Sequence, residues 1–108
     1  MTETIHTSET GGRKGRKEER YSLIPPGPLA ALARVYSYGS EKYEDWNYAR
    51  GYPYSWSMDS LIRHVEAFRR GENIDPESGR PHLAHAAWHC FTLMFFQEKG
   101  LGADDRYI

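Results

Sequence analysis

The sequence RHVEAFRRGENIDPESGRPHLAHAAWH, residues 63–89, predicts two helices joined by a polar loop. Upstream of the loop, apolar residues recur at three- and four-residue spacing, which is typical of one buried helix face: Met58, Leu61, Ile62, Val65 and Phe68. Residues 71–81 contain the Gly, Asn, Asp and Pro of a turn-rich connection. Pro81 can then open a further helix that runs to about Lys99.

The same stretch holds four of the five histidines of the chain. His82, His85 and His89 are spaced i, i+3 and i+7, so they share one face of the last helix. His64 lies at the edge of the apolar stripe of the preceding helix and should face them. His89 follows Trp88 in the apolar half of the helix, which favours a hydrogen-bonded core imidazole for that residue.

Carboxylates lie between the histidines in sequence. Glu72 and Asp75 form an E-x-x-D pair, which converges if the chain makes one helical turn there. Imidazoles and carboxylates together are ligands of divalent cations, and a carboxylate beside a metal can take a proton from water. We therefore predict an Mg²⁺ or Mn²⁺ site. The alternatives are an ordinary charged surface turn and a row of packed structural histidines.

The remaining pattern predicts an all-α fold with about three main helices and no β-strand. The first helix follows Pro28 and stops near Gly39, and Ser57 is the predicted N-cap of the second. A length of 108 residues suits one domain. We expect a mobile basic segment over residues 1–19 and a single helical nucleotide-binding domain over residues 20–108.

An aromatic loop lies between the first two helices. Within it, Lys42, Tyr43, Trp46 and Asn47 combine a cation, two flat rings and an amide, a set able to stack a nucleobase and hydrogen-bond its edge. The alternative is that the rings only cap a small core. Arg63, beside His64, suits a phosphate at the rim of the site, or is an exposed helix charge.

Basic residues are concentrated near the N-terminus, at Arg13, Lys14, Arg16, Lys17 and Arg20. Such a run is often a solvated tail. Folded back over a carboxylate-rich pocket, the same run could instead neutralise a phosphate chain, so we predict that Arg13, Lys14 and Arg20 order over the pocket and contact phosphate. The formal net charge of −1 gives no reason to expect duplex nucleic acid as a partner.

Three further features concern the environment of the chain. A single cysteine, Cys90, excludes an internal disulfide, and its apolar neighbours predict a buried thiol. The absence of a long apolar run predicts no membrane span and a cytoplasmic location. The third helix is apolar nearly all round, which predicts a homo-oligomer, at least a dimer: Phe91, Leu93, Met94, Phe95 and Phe96.

Several segments in combination resemble a known family: GGRK, RYSLIPPGPLAALARV, YGSEKYEDWN, RH and GENIDPESGRPHLAHAAWH. They are similar to phage and prophage proteins of the family of N-terminal domains of dATP/dGTP diphosphohydrolases. The resemblance implies metal-dependent hydrolysis of a deoxypurine triphosphate to the monophosphate and pyrophosphate, on an all-α scaffold similar to MazG-like enzymes. The family signature that the resemblance implies falls on Lys42, Tyr43, Trp46, Asn47, Arg63, His64, Glu72, Asp75, Glu77, Ser78, Gly79, His82 and His85. MazG-like enzymes use paired acidic motifs, whereas here only Glu72 and Asp75 fit that pattern.

Two functions from different classes follow. In the enzyme hypothesis, Glu72 and Asp75 bind the metal and take part in catalysis, Glu77 is the candidate base, and His64, His82 and His85 complete the metal site. The nucleotide would contact the aromatic loop, Arg63, Ser78 and the early basic residues. In the alternative hypothesis the protein sequesters a nucleotide, for example a defence signal, without turnover. A small helical interaction module is a third possibility.

Overall fold

The computed structural model describes residues 3–108, so residues 1 and 2 of the predicted N-terminal segment lie outside it. The chain forms a short antiparallel hairpin, β1 (Thr4–Thr7) and β2 (Arg13–Arg16), followed by three helices. These are α1 (Pro26–Lys42), α2 (Tyr54–Arg69) and α3 (His82–Lys99), with short 3₁₀ turns at Tyr21–Leu23 and Asn47–Arg50. The prediction of three main helices is confirmed.

α3 is the central helix, since both α2 and α1 pack against it. The core is small: Leu32, Val35, Ala67, Ala84, Ala86 and Phe96. The Phe96 ring is fully buried and packs edge-on against the ring of Tyr52, with ring centroids 5.0 Å apart. Removal of this apolar surface from water is the main term that holds the helices together.

The predicted bounds of α3 are confirmed. Pro81 precedes its first residue, and Gly100 ends it with a left-handed backbone at φ 67°. The prediction that Ser57 caps α2 is wrong. The helix starts three residues earlier, directly after Pro53, and Ser57 lies fully buried inside its first turns. The Tyr54 amide, which has no partner within the helix, donates instead to the carbonyl of Ala103 at 2.9 Å.

The prediction that the chain has no β-strand is also wrong, because part of the N-terminal segment forms a hairpin. Thr4 pairs with Arg16 and Thr7 with Arg13. The connecting turn is closed by a hydrogen bond from the Ser8 amide to the Gly12 carbonyl. Strands of four residues are too short, and too polar here, for an alternation of apolar and polar side chains to be visible in the sequence.

The hairpin stands away from the helices. Every strand residue except Gly15 is exposed, and neither strand packs extensively against a helix. The radius of gyration is 17.9 Å, whereas a compact domain of this length has about 13 Å. We call residues 3–20 the N-terminal arm.

Residues after α3 return to the start of α2. Ser55 donates from its amide to Asp105 Oδ1 at 2.9 Å, beside the bond between Tyr54 and Ala103. Gly51 and Gly102 approach each other so closely that a Cβ on Gly51 would lie 2.7 Å from the Gly102 amide nitrogen. This contact holds the loop between α1 and α2 against the body of the domain.

Two surface features remain. Cys90 is exposed, so the predicted buried thiol is wrong, because its position on α3 faces away from both α1 and α2. The apolar side chains of Leu83, Phe91 and Met94 are also exposed on α3. A homo-oligomer therefore stays a prediction. Within residues 3–108 no helix is long and apolar enough to cross a membrane.

Candidate functional site

A cavity of about 1080 Å³ lies between the end of α1, the aromatic loop, α2 and the N-terminal half of α3. Residues from distant parts of the sequence meet in its wall. Most of the residues that the sequence singled out are among them: Lys42, Tyr43, Trp46, Asn47, Arg63, His64, Asp75, Glu77, His82 and His85. The cavity is therefore the candidate site.

The histidines form one cluster across the α2–α3 interface. Nδ1 of His64 lies 2.8 Å from Nδ1 of His82. The His64 ring stacks on His85 with centroids 4.5 Å apart and an interplanar angle of 5°. His89 lies one turn further along α3, with its ring centroid 6.1 Å from that of His64. The predicted convergence of His82 and His85 on His64 is confirmed.

The loop carboxylates do not converge on one point as expected. Glu72 Oε1 lies 2.7 Å from Nε2 of His82, whereas Asp75 is joined through Ser78 to His85. Residues 72–75 make no helical turn, because the Asp75 amide bonds across the loop to the Arg80 carbonyl. The one turn with an i→i+4 bond in the described loop, from the Gly79 amide to the Asp75 carbonyl at 2.8 Å, begins only at Asp75. The two carboxylates therefore contact different imidazoles, on the side away from the His64–His82 contact.

These bonds assign the proton on each ring. A carboxylate oxygen accepts, so Nε2 of His82 donates to Glu72. Ser78 Oγ gives its one hydrogen to Asp75 Oδ2 at 2.8 Å and thus accepts from Nε2 of His85 at 2.7 Å. In the neutral forms, Nδ1 of both rings then carries a lone pair. Ser78 is not part of the cavity wall, and its hydrogen bond to Nε2 orients the His85 ring.

Burial favours the neutral imidazole forms of His64 and His85. It lowers the pKa values of His64 and His85, and neighbouring histidines lower that of His64 further, while Asp75 opposes the shift of both rings. Burial by itself would raise the pKa of Asp75, but hydrogen bonds from Ser78 and the Glu77 amide, together with His85, hold it below its usual value. An ionised carboxylate therefore faces neutral rings at pH 7.

The donor types suit a divalent cation. Ring nitrogens with lone pairs are backed by carboxylates that orient them, which is the usual surrounding of metal-bound histidines. The distances differ from those of a metal site. Two nitrogens on one tetrahedral ion lie about 3.3 Å apart, whereas His64 and His82 approach to 2.8 Å, a hydrogen-bond distance. In the described part of the chain no three His, Cys, Asp or Glu residues are arranged to hold a metal.

A buried polar chain continues from the histidine cluster. Ser57 Oγ bonds to Nδ1 of His89 at 2.9 Å and also to the Tyr52 hydroxyl. The predicted role of His89 as a hydrogen-bonded imidazole in the interior is confirmed. Sequence reasoning missed Tyr52 and misplaced Ser57. No local signal marks either residue, because the partners are 32 and 5 positions away from Ser57.

The part of the cavity wall next to the histidines is aromatic, and Trp88 packs edge-on against His89 with ring centroids 4.8 Å apart. Tyr36, Tyr48 and Trp88 pack against one another with centroids 5.7 to 5.9 Å apart. Burial, with Tyr48 nearby, raises the pKa of Tyr36 to about 12. Sequence reasoning missed these rings, although aromatic residues are dense from position 36 to 56.

Trp46 and Tyr43 stand at the rim and are largely exposed. Trp46 has a left-handed backbone with φ 63° and ψ 17°, alone among the described non-glycine residues. Such a conformation is unfavourable for a side chain of this size and is found mainly where the surrounding structure imposes it. The loop thus holds an exposed indole at the cavity mouth.

The charge of the cavity is predominantly acidic. Only Lys42 and Arg63 are basic, against five carboxylates in the wall: Glu41, Glu44, Asp45, Asp75 and Glu77. Lys42 Nζ forms an ion pair with Glu77 Oε1 at 3.2 Å across the mouth. Hydrogen bonding to Glu77 raises the pKa of Lys42.

The arm lies elsewhere. The structure does not bring Arg13, Lys14 or Arg20 to the cavity wall. Arg13 and Lys14 are on β2, and Arg20 borders a separate hollow on the arm itself. Their contact with phosphate therefore stays a prediction, and it requires that the arm docks somewhere other than its present position.

The fold and the cavity define a small helical domain whose histidine–carboxylate cluster adjoins an aromatic wall. Residues 8–106 match the family described as "dATP/dGTP diphosphohydrolase, N-terminal", and the chain belongs to this family. It is 30% identical over 97 residues to a protein of Salmonella phage PMBT28 named "dATP/dGTP diphosphohydrolase". The match covers 90% of this chain and 33% of the phage protein, so the chain spans about a third of that relative. No solved structure matches.

The buried histidines predict a loss of stability in mild acid. Burial, with His64 and His85 nearby, lowers the pKa of His89 from 6.5 to about 4. Between these two pH values the unfolded chain binds a proton that the folded chain excludes, so the free energy of unfolding decreases as the pH falls. Urea unfolding should be measured at several pH values across this range. The free energy of unfolding should depend less steeply on pH for His89→Gln, which keeps a hydrogen-bonding side chain but does not titrate. If this variant and the wild type showed the same pH dependence, His89 would not be the source of the acid-induced loss of stability.

Proposed function

We propose that this domain binds a deoxypurine nucleoside triphosphate, dATP or dGTP, in the cavity and hydrolyses it to the monophosphate and pyrophosphate with a divalent cation. The observation that carries the proposal is the single cavity in which an aromatic wall adjoins a histidine–carboxylate cluster. The name of the phage relative supports the substrate. Because the chain covers only a third of that protein, the activity is assigned to this domain by inference.

The base would lie at the aromatic rim. Trp46 and Tyr43 offer exposed faces for stacking, and Asn47 offers both a donor and an acceptor to a base edge. The backbone of the loop is held in place by the Gly51–Gly102 contact, so the rings are positioned before a ligand arrives. Less conformational entropy is then lost when the base binds.

The phosphates would point toward the histidines. Lys42 and Arg63 are the two basic groups in the wall, and both are exposed enough to contact an oxygen anion. Two cations among five carboxylates cannot by themselves offset a triphosphate. Binding of the substrate therefore requires additional positive charge, which supports a divalent cation in the site.

The cation would be held by His64, His82 and His85, with Glu72 and Asp75 orienting the rings from behind. Small outward movements of the rings are enough to convert the hydrogen-bond distance into one that suits a metal. Nitrogen ligands favour Mn²⁺ over Mg²⁺, which prefers oxygen. When bound, such an ion neutralises phosphate charge and lowers the pKa of a water molecule.

Glu77 is the proposed base. Its carboxylate lies at the cavity mouth, in contact with Lys42, and both side chains are solvent-accessible. A phosphate group that attracts Lys42 would release the Glu77 carboxylate to accept a proton from water. Exposed ion pairs of this kind contribute less than about 1 kcal/mol, so the exchange costs little.

A second candidate function is nucleotide sequestration without turnover. It is favoured by the mutual hydrogen bonding of the histidines, which leaves no three donors arranged for a metal in residues 3–108. In that case the aromatic rim would bind the base, and the ring nitrogens of the histidine cluster that carry lone pairs would accept hydrogen bonds from hydroxyl or amino groups of the ligand. Both candidates use the same cavity.

One experiment separates the two. The purified chain is incubated with each of the four dNTPs, with and without Mn²⁺ or Mg²⁺, and ligand binding is measured by calorimetry while monophosphate and pyrophosphate are measured by chromatography. Hydrolysis of dATP or dGTP supports the enzyme, and binding without product supports sequestration. Metal binding is followed independently by the electron paramagnetic resonance signal of Mn²⁺. If the chain neither binds nor hydrolyses any of the four dNTPs, both candidate functions are refuted.

Replacement of Trp46 tests the base site. Trp46→Gly removes the indole but suits the left-handed backbone at this position, so the domain should remain at least as stable as the wild type. Nucleotide affinity should fall about tenfold or more, as stacking on one ring contributes about 1–3 kcal/mol. Tyr21→Ala, which removes an exposed ring outside the cavity, is the matched control. Equal affinities of the two variants would place the base elsewhere.

A further inference from the structure

The N-terminal arm is a hairpin that packs extensively against no helix within residues 3–108. Its two strands pair only with each other, and they lie in solvent away from the helices. An isolated two-stranded hairpin is at best marginally stable in water, and it becomes stable when it packs against another surface. The arm therefore needs a docking surface that its own chain does not provide in this arrangement.

One face of the arm is basic. The register pairs His6 with Lys14 and Thr4 with Arg16, which places these side chains on the same face of the hairpin. Arg16 borders a hollow of about 520 Å³, together with Lys17 and the nearby Arg20. Within residues 3–108 neither Arg16 nor Arg20 forms an ion pair. Lys17 pairs with Glu3 at 2.6 Å, and Glu18 also borders the hollow. The guanidinium groups of Arg16 and Arg20 therefore supply positive charge on this face that is free of an ion pair in the described residues.

The complementary surface is the acidic rim of the cavity. Glu41 lies in the last turn of α1, and Glu44 and Asp45 follow within four residues; all three are exposed. Glu44 pairs with Arg50 and Asp45 accepts a hydrogen bond from Ser40, whereas Glu41 forms no ion pair within residues 3–108. Carboxylates accept bidentate hydrogen bonds from guanidinium groups, so the chemistry of the rim matches that of the arm.

We propose that the arm of one copy of this chain docks with its basic face on the acidic cavity rim of a second copy. Both surfaces are present on every chain, so a two-fold dimer makes the contact twice. In such a dimer the partner's arm brings basic groups to a cavity that has only two of its own. The docking is independent of the proposed function, whereas a contact of the arm with phosphate rests on it.

The direct test is intermolecular paramagnetic relaxation. One chain carries Cys90→Ser and Thr7→Cys, and a nitroxide is attached to the new cysteine, on the face of the hairpin opposite the basic one. This chain has no isotope label. It is mixed with a second Cys90→Ser chain that is labelled with ¹⁵N and carries no nitroxide. Broadening of the amide signals of residues 41–46 in the ¹⁵N-labelled copy is expected. Absence of broadening in the ¹⁵N-labelled copy would overturn the proposal. The same holds if residues 41–46 broaden only when the nitroxide and the ¹⁵N label are on one chain, because the arm would then dock within its own copy.

Charge reversal supplies a second test. Lys14→Glu combined with Arg16→Glu should weaken dimer association at least tenfold in analytical ultracentrifugation, and Glu41→Lys combined with Glu44→Lys in the other copy should restore most of it. Arg34→Glu with Arg70→Glu, which changes the same charge at exposed positions outside both surfaces, is the matched control. The docking would be contradicted if the wild-type chain were a monomer at micromolar concentration. It would also be contradicted if the arm variant and the Arg34→Glu/Arg70→Glu control weakened association equally.

Neither test contains a nucleotide. The docking can therefore fail while hydrolysis or sequestration stands, and the reverse outcome is equally visible. Light scattering of the arm variant also separates this dimer from one formed through the exposed face of α3, because only the first should dissociate when the basic face is reversed. A dimer that persists in that variant would assign the contact to another surface and overturn the proposal.

Discussion

His85→Ala is expected to lower dATP or dGTP hydrolysis at least about a hundredfold. Even the residues that only orient metal-bound histidines typically change activity by about 10–100-fold, and His85 is proposed as a ligand in its own right. Its ring also stacks on His64, so its loss disturbs a second proposed ligand. The measurement is the initial rate of pyrophosphate release with Mn²⁺ present.

Two further variants serve as comparisons for His85→Ala. Ser78→Ala leaves His85 in place but removes its hydrogen-bond partner, so a smaller loss of about tenfold is expected. Gln97→Ala, an exposed change on the same helix, should leave the rate unchanged. Circular dichroism verifies that all three remain helical. If a folded His85→Ala protein kept more than about a tenth of the wild-type rate, the histidine cluster would not be the reaction centre.

Gly102→Ala is expected to destabilise the domain by about 2–4 kcal/mol. The residue has φ +71°, and an added Cβ would lie 2.5 Å from the Tyr52 carbonyl oxygen and 3.1 Å from a ring carbon of Phe96. A left-handed backbone costs an alanine about 1–2 kcal/mol, and overpacking usually adds about 1–3 kcal/mol. Thermal unfolding should shift downward by at least about 10 °C in a domain of this size.

Gly100→Ala is the matched control for this prediction. Its φ of +67° is nearly the same, but a Cβ there meets no atom within 4 Å. It should therefore show only the cost of the backbone conformation, about 1–2 kcal/mol. Equal losses for the two variants, measured by urea unfolding, would mean that the segment after α3 does not pack tightly against Tyr52 and Phe96.

Local sequence signals predicted α3 well because its bounds depend on neighbouring residues. Pro81 and Gly100 act through their own backbone preferences, and no distant residue has to be known. α2 was harder to predict. Ser57 looks like an N-cap from its position, yet its hydroxyl bonds to Tyr52 and His89, and the Tyr54 amide finds a carbonyl almost fifty residues away.

The identities in the candidate site were largely predictable, and the contacts were not. Helical periodicity places His82 and His85 on one face, and the apolar stripe of α2 turns His64 toward them. Which carboxylate meets which imidazole depends on the path of residues 71–81. The loop separates Glu72 from Asp75 and introduces Ser78 between Asp75 and His85.

The sequence by itself therefore determined three helices, the histidine row and the aromatic loop, because these follow from backbone preferences and from spacing within one helix. Only the tertiary structure decided the pairing of the imidazoles, the burial of Ser57, the acidic excess of the cavity wall and the separation of the basic arm from it. The reason is that hydrogen-bond partners and burial depend on contacts between residues far apart in the chain, and the polar four-residue strands of the arm carry no local pattern that reports them.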